Sequence, residues 1–103
     1  MKYSLVLQFR GDSLADFDKM VQLEETLTKH LGRSADVDGH DMGSGEINIF
    51  IHTTDPVGTF RRAKPVLAEM NRLDKVTAAY RPLDGDNYTV VWPEGSTTEF
   101  KIV

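Results

Sequence analysis

The stretch 46–53 constrains this chain most, because Ile47, Ile49 and Ile51 alternate there with Asn48, Phe50 and His52. A period of two puts the isoleucines on one face of a strand and Glu46, Asn48, Phe50 and His52 on the other. So apolar a face must be covered by another layer. Residues 3–10 repeat the pattern. Tyr3, Leu5, Leu7 and Phe9 share one face, and Ser4, Val6, Gln8 and Arg10 share the other.

Two segments carry helical spacing instead. Gly11-Asp12 ends the first strand, Ser13 is placed as an N-cap, and Asp16 completes a shortened capping box. Leu14, Phe17, Val21, Leu27 and Leu31 form the apolar stripe, widened by Met20 and Leu23, and Gly32 is the natural stop. The second helix opens with Asp55 as N-cap and Pro56 at its first position. Val57, Phe60, Lys64, Leu67 and Met70 follow at helical intervals, with Ala63 beside them. Pro65 lies inside and removes a backbone donor, so a bend or split near Arg61 is expected.

The remaining strands are weaker. Residues 33–38 read as a polar edge strand holding only Ala35 and Val37, and 40–45 as a Gly-rich turn. Residues 75–81 place Val76, Ala78 and Tyr80 on one face. Asp84-Gly85-Asp86-Asn87 is a turn, 88–92 alternates through Tyr88, Val90 and Trp92, and 98–102 is expected as a last strand. The order β-α-β-β-α-β with a hairpin-like tail predicts an α+β, ferredoxin-like βαββαβ sandwich. Two helices cover one face of a mainly antiparallel sheet, and the C-terminal β-hairpin extends it. Its first and third strands lie centrally side by side. The other face is open or is covered by the C-terminal segment. Residues 1–103 are expected to form a single domain.

Composition narrows the function classes. No cysteine is present, which removes disulfides, zinc–thiolate sites and Cys nucleophiles. Acids outnumber bases, 16 to 12, for a formal net charge of -4. Broad nucleic-acid binding is therefore not expected. No apolar run is long enough to span a membrane, so no membrane partner is expected. The start, residues 1–7, has no apolar core followed by a small-residue cleavage site, so a cytoplasmic location is expected.

The most unusual stretch is 36–46, with four acids (Asp36, Asp38, Asp41 and Glu46), His40 and no base. Clustered carboxylates suit hard cations. The EF-hand pattern fails, because Asp41 stands where the glycine belongs and Ile47 where the glutamate belongs. Turns use Asp and Gly in any case, so a solvated polar hairpin explains Asp36, Asp38, His40 and Asp41 without a metal or cofactor. Gly43-Ser44-Gly45 leads into a strand rather than a helix, so it reads as a turn and not as a phosphate loop. His40 and His52 are tens of ångströms apart along an extended path at about 3.3 Å per residue. His30 belongs to the end of the first helix, where the macrodipole favours it.

Arg61, Arg62, Lys64, Arg72 and Lys75 form the one basic run, which a solvated helix face also explains. The aromatic platform and Gly-aromatic motif of RNA-recognition domains are absent. Arg10-Gly11-Asp12 matches an adhesion tripeptide but falls at a strand end beside a helix cap. No local nucleophile motif supports a catalytic set.

The segment Asp38-Gly39-His40-Asp41-Met42-Gly43-Ser44-Gly45-Glu46 resembles one in small uncharacterised bacterial proteins of ferredoxin-like βαββαβ layout. The resemblance implies a fold and no activity. The sequence thus points to a non-catalytic binding or protein-interaction module, whose partner is a protein or a small molecule, and leaves a homodimer open. Its candidate surface is the sheet face away from the helices: Gln8, Arg10, Glu46, Asn48, Phe50 and His52. Parity brings Arg10 to Glu46 and Gln8 to Asn48 if their strands are antiparallel neighbours. Two alternatives remain: an immunity-type protein docking on a basic toxin, and a small hydrolase or isomerase using His52 or His40 with Glu46.

Overall fold

Alternation in the first strand becomes a buried centre. The computed structural model describes residues 2–96 and 99–102. β1 (Tyr3–Arg10) pairs antiparallel with β3 (Glu46–Thr53) on one side and with β4 (Thr77–Pro82) on the other. β2 (Asp36–Gly43) flanks β3, and β5 (Thr89–Trp92) flanks β4. The result is an open, five-stranded antiparallel sheet in the order β2-β3-β1-β4-β5, with two helices. Among the described residues, no helix is long and apolar enough to cross a membrane.

Helices α1 (Leu14–Leu31) and α2 (Pro56–Glu69) pack on the face carrying Leu5, Leu7, Phe9, Ile47, Ile49 and Ile51. Leu5, Leu7, Ile49 and Ile51 have no exposure at all. Each such side chain contributes roughly 1.5–3 kcal/mol. The stripe of α1 is centred on Met20, Leu23, Leu27 and Leu31, and Leu14 falls outside it at 77% exposure. Val57 likewise leaves the α2 stripe, at 46% exposure.

The capping signals are realised. Ser13 Oγ accepts from Asp16 N at 3.0 Å, and the Asp16 carboxylate reaches back to the Ser13 backbone N–H. Asp55 Oδ1 accepts from Gly58 N at 3.0 Å, with Pro56 at the first helical position. Of the bend or split expected near Arg61, the split does not occur: α2 runs as one helix from Pro56 to Glu69, with Pro65 inside it on the exposed side. His30 does more than end α1: its Nε2 lies 3.0 Å from the Arg62 carbonyl and ties the two helices together.

Three strand expectations are corrected. β2 covers Asp36–Gly43, so most of the expected turn at 40–45 is strand. The turn itself is Ser44-Gly45, both at positive φ (54° and 76°), as a two-residue hairpin of primed type requires. A bulge at Asp38 shifts the register, pairing Val37 with Ile51 but Gly39 with Phe50. His40 is thereby sent to the helix side. A second irregularity pairs Ala78 with Trp92 but Ala79 with Val90. Tyr88 and Val90 keep to the outer face, while Trp92 crosses to the helix side and its Nε1 donates to Leu73 O at 2.9 Å. Residues 99–102 are not a strand, and Thr98, which began that expected element, lies outside the described residues.

Candidate functional site

Cross-strand pairing arranges the outer face in rows. Arg10 faces Glu46, Gln8 faces Asn48, Val6 faces Phe50 and Ser4 faces His52. Strand β4 adds Thr77, Ala79 and Arg81 opposite Gln8, Val6 and Ser4. Strand β2 adds Asp41, Gly39 and Asp36 opposite Asn48, Phe50 and His52. The two pairings expected from parity, Arg10 with Glu46 and Gln8 with Asn48, are present.

The middle row is apolar. Phe50 packs with buried Val6, Ala79 and Phe100, and with Tyr88, Val90 and Ile102, in a second small core. The C-terminal segment therefore lies against this face, and Gln8 Nε2 donates to the Lys101 carbonyl at 2.9 Å. Phe50 is a packing residue, which explains an aromatic on an otherwise polar face.

The row at Ser4 gathers Asp36, Asp38 and His52, whose ligand atoms lie within 4.8 Å of one another. His52 Nε2 is 3.7 Å from Asp38 Oδ2, and both side chains are open to water. Acids on an edge strand have a structural use, since they deter pairing with another sheet. Exposed Asp36, Asp38 and Asp41 lie along that edge. His40 is not with them. It faces the helices, where its Nδ1 is 3.0 Å from Glu24 Oε2 and its ring meets Phe17 edge-on. Glu46 is six residues from His52 along β3, about 20 Å at strand spacing. That spacing separates Glu46 from His52, and His40 faces the opposite side of the sheet and pairs with Glu24.

The row at the other end opens into a cleft. Gln8, Arg10, Glu46, Arg72, Lys75 and Thr77 line it, with Phe9 at its floor. Asn48, 2% exposed, is behind Gln8 and accepts from its Nε2 at 3.1 Å. The same amide nitrogen is 3.4 Å from Glu46 Oε1. Adjoining hollows add Lys19 and Asp16 from the start of α1, and Arg72 borders them all.

Arg72 and Lys75 reach this place through the way α2 ends. Asn71 adopts a left-handed conformation (φ 58°), Arg72 N donates to Leu67 O at 2.7 Å, and Asn71 N donates to Ala68 O at 3.1 Å. That pair of bonds is the Schellman arrangement, which reverses the chain after a helix. A short 3₁₀ turn, Leu73–Lys75, then leads into β4. The basic run expected along one helix is thereby divided. Lys64 stacks over Trp92 at 4.5 Å and Arg62 donates to Thr59 at 3.2 Å, whereas Arg72 and Lys75 join Arg10. Thr77 carries no sequence signal of its own. Asn71 was the available hint for Arg72, as a residue tolerant of left-handed geometry.

Among the described residues, the side chains of Arg10, Arg72 and Lys75 make no hydrogen bond or ion pair. Asp16 is held below the usual carboxylate range by the Ser13 hydroxyl, then by the Ser13 and Asp12 backbone N–H groups, with Lys19 helping. Its charge is therefore committed to the helix cap. No protein-family model, curated protein or solved structure matches the chain.

Proposed function

We propose that this chain is a non-catalytic binding module on a ferredoxin-like frame, and that the cleft between Arg10, Arg72 and Lys75 is its ligand site. The frame is supported by the strand order β2-β3-β1-β4, antiparallel throughout, with both helices on one face. β5 is an addition at the edge. The site is supported by one observation above all: three cations from two distant parts of the chain line one cleft without partners among the described residues. No histidine lines that cleft, and convergent polar groups are what a binding site needs.

The test is an amide-shift map of labelled protein against a fragment set containing neutral, cationic and anionic compounds. Saturable shifts at Arg10, Arg72 and Thr77 from any class support the reading. Shifts confined to another surface, or none anywhere, remove it.

A further inference from the structure

We propose that the cleft recognises the phosphate monoester group of a small molecule, an inference that rests on reading this cleft as the ligand site. The charge balance points there. Among the described residues, the cleft presents Arg10, Arg72 and Lys75 against one carboxylate, that of Glu46. Two positive charges remain in excess, in a chain whose overall formal charge is -4. Like charges held together repel, and a bound anion relieves that repulsion. A phosphate monoester carries about -1.5 to -2 near neutral pH, so it matches the excess where a single carboxylate does not.

The donor chemistry agrees. Two guanidinium groups offer flat forks suited to phosphate oxygens, and one ammonium adds a compact charge. Thr77 supplies a hydroxyl that bonds to no other described residue. Gln8 is not a ligand donor, since its amide nitrogen already serves Asn48, Glu46 and Lys101 O. Lys19 and Asp16 border the adjoining hollow together and cancel in the charge count, so the excess rests on Arg10, Arg72 and Lys75. The cationic surface is local. Strand β2 displays Asp36, Asp38 and Asp41, so a long polyanion running over the sheet meets repulsion there.

Inorganic phosphate and pyrophosphate are the probes, added to the labelled full chain, with sodium chloride at matched ionic strength and sodium acetate as controls. Saturable millimolar binding of phosphate is expected, with shifts at Arg10, Arg72, Lys75 and Thr77, tighter binding of pyrophosphate, and only weak drift with the controls. Arg72→Gln should weaken phosphate about tenfold or more, while Lys29→Gln, an exposed charge on α1, should leave it unchanged. Equal melting temperatures for the two variants show that folding is not the cause. Indistinguishable effects of phosphate and chloride, or equal losses in both variants, overturn the proposal. So does a phosphopeptide or an RNA that occupies the cleft when phosphate and phosphorylated sugars do not. If neutral or cationic fragments fill the cleft and phosphate does not, the phosphate assignment falls and the ligand-site reading stands; if nothing binds there, both fall.

Discussion

Gln8 joins the sheet to the end of the chain: its side-chain Nε2 donates to the backbone carbonyl of Lys101 at 2.9 Å. Beside that bond, Phe100 is buried against Val6 and Ala79, and its ring lies 4.8 Å from that of Tyr88. The segment 99–102 is therefore part of the packed structure. Phe100→Ala should destabilise the fold by about 3 kcal/mol, the low end for a buried phenylalanine. A urea midpoint unchanged by the substitution would show that the segment adds nothing to stability.

The helix-side core makes a larger claim on stability. Ile49 has no exposure and stands between Leu7 and His40 in the sheet. Ile49→Ala should cost about 2–5 kcal/mol, depending on how far the cavity collapses. Chemical denaturation monitored through Trp92 measures it, and a cost below about 1 kcal/mol contradicts the packing described.

Glycine 58 offers a test with an unusual sign. Replacing a helical glycine by alanine ordinarily stabilises by about 1 kcal/mol. Here a Cβ would meet the Asp55 carboxylate, with Asp55 Cγ only 2.8 Å away. That carboxylate caps the Gly58 N–H. Gly58→Ala must displace it, at a cost of about 0.5–2 kcal/mol for the lost cap. The expected outcome is no gain in melting temperature, and a clear rise would mean that the cap is not as described.

Acid should expose the work of Asp16. Its pKa is lowered in the folded chain, chiefly by the Ser13 hydroxyl. A depressed carboxylate stabilises fully above its unfolded value and loses that contribution as pH falls through its folded value. Asp16→Asn should therefore melt earlier than the parent at neutral pH. The gap should close as pH drops into and below the ordinary carboxylate range. A gap independent of pH would assign the loss to shape and not to charge.

How far the sequence revealed this molecule differs by element. Strand β3 was plain because isoleucine recurs at every second position and no irregularity intervenes. Strand β2 was obscured because it is an edge, and an edge needs only Val37 and Met42 to touch the core. Its bulge then inverted the parity that would have located His40. The pairing of Arg10 with Glu46 followed from alternation once the two strands were placed as antiparallel neighbours, since both are regular. Arg72 and Lys75 did not, because their place depends on a chain reversal at Asn71 and on a cleft shared with Arg10, over sixty residues away in sequence. Local periodicity carries no information about such a meeting.

The two bulges, at Asp38 and at Val91, lie in β2 and β5, the outermost strands. Each inserts one residue that has no cross-strand partner. Removing Asp38 would leave Val37 opposite Ile51, Gly39 opposite Phe50 and His40 opposite Ile49, so every later side chain would keep its face. Removing Val91 would do the same for Trp92. A single deletion within β1 or β3 would instead turn the following residues inside out. The chain is thus free to change length by one residue at either margin, and related sequences should show gaps at these two positions while their central strands hold a fixed count.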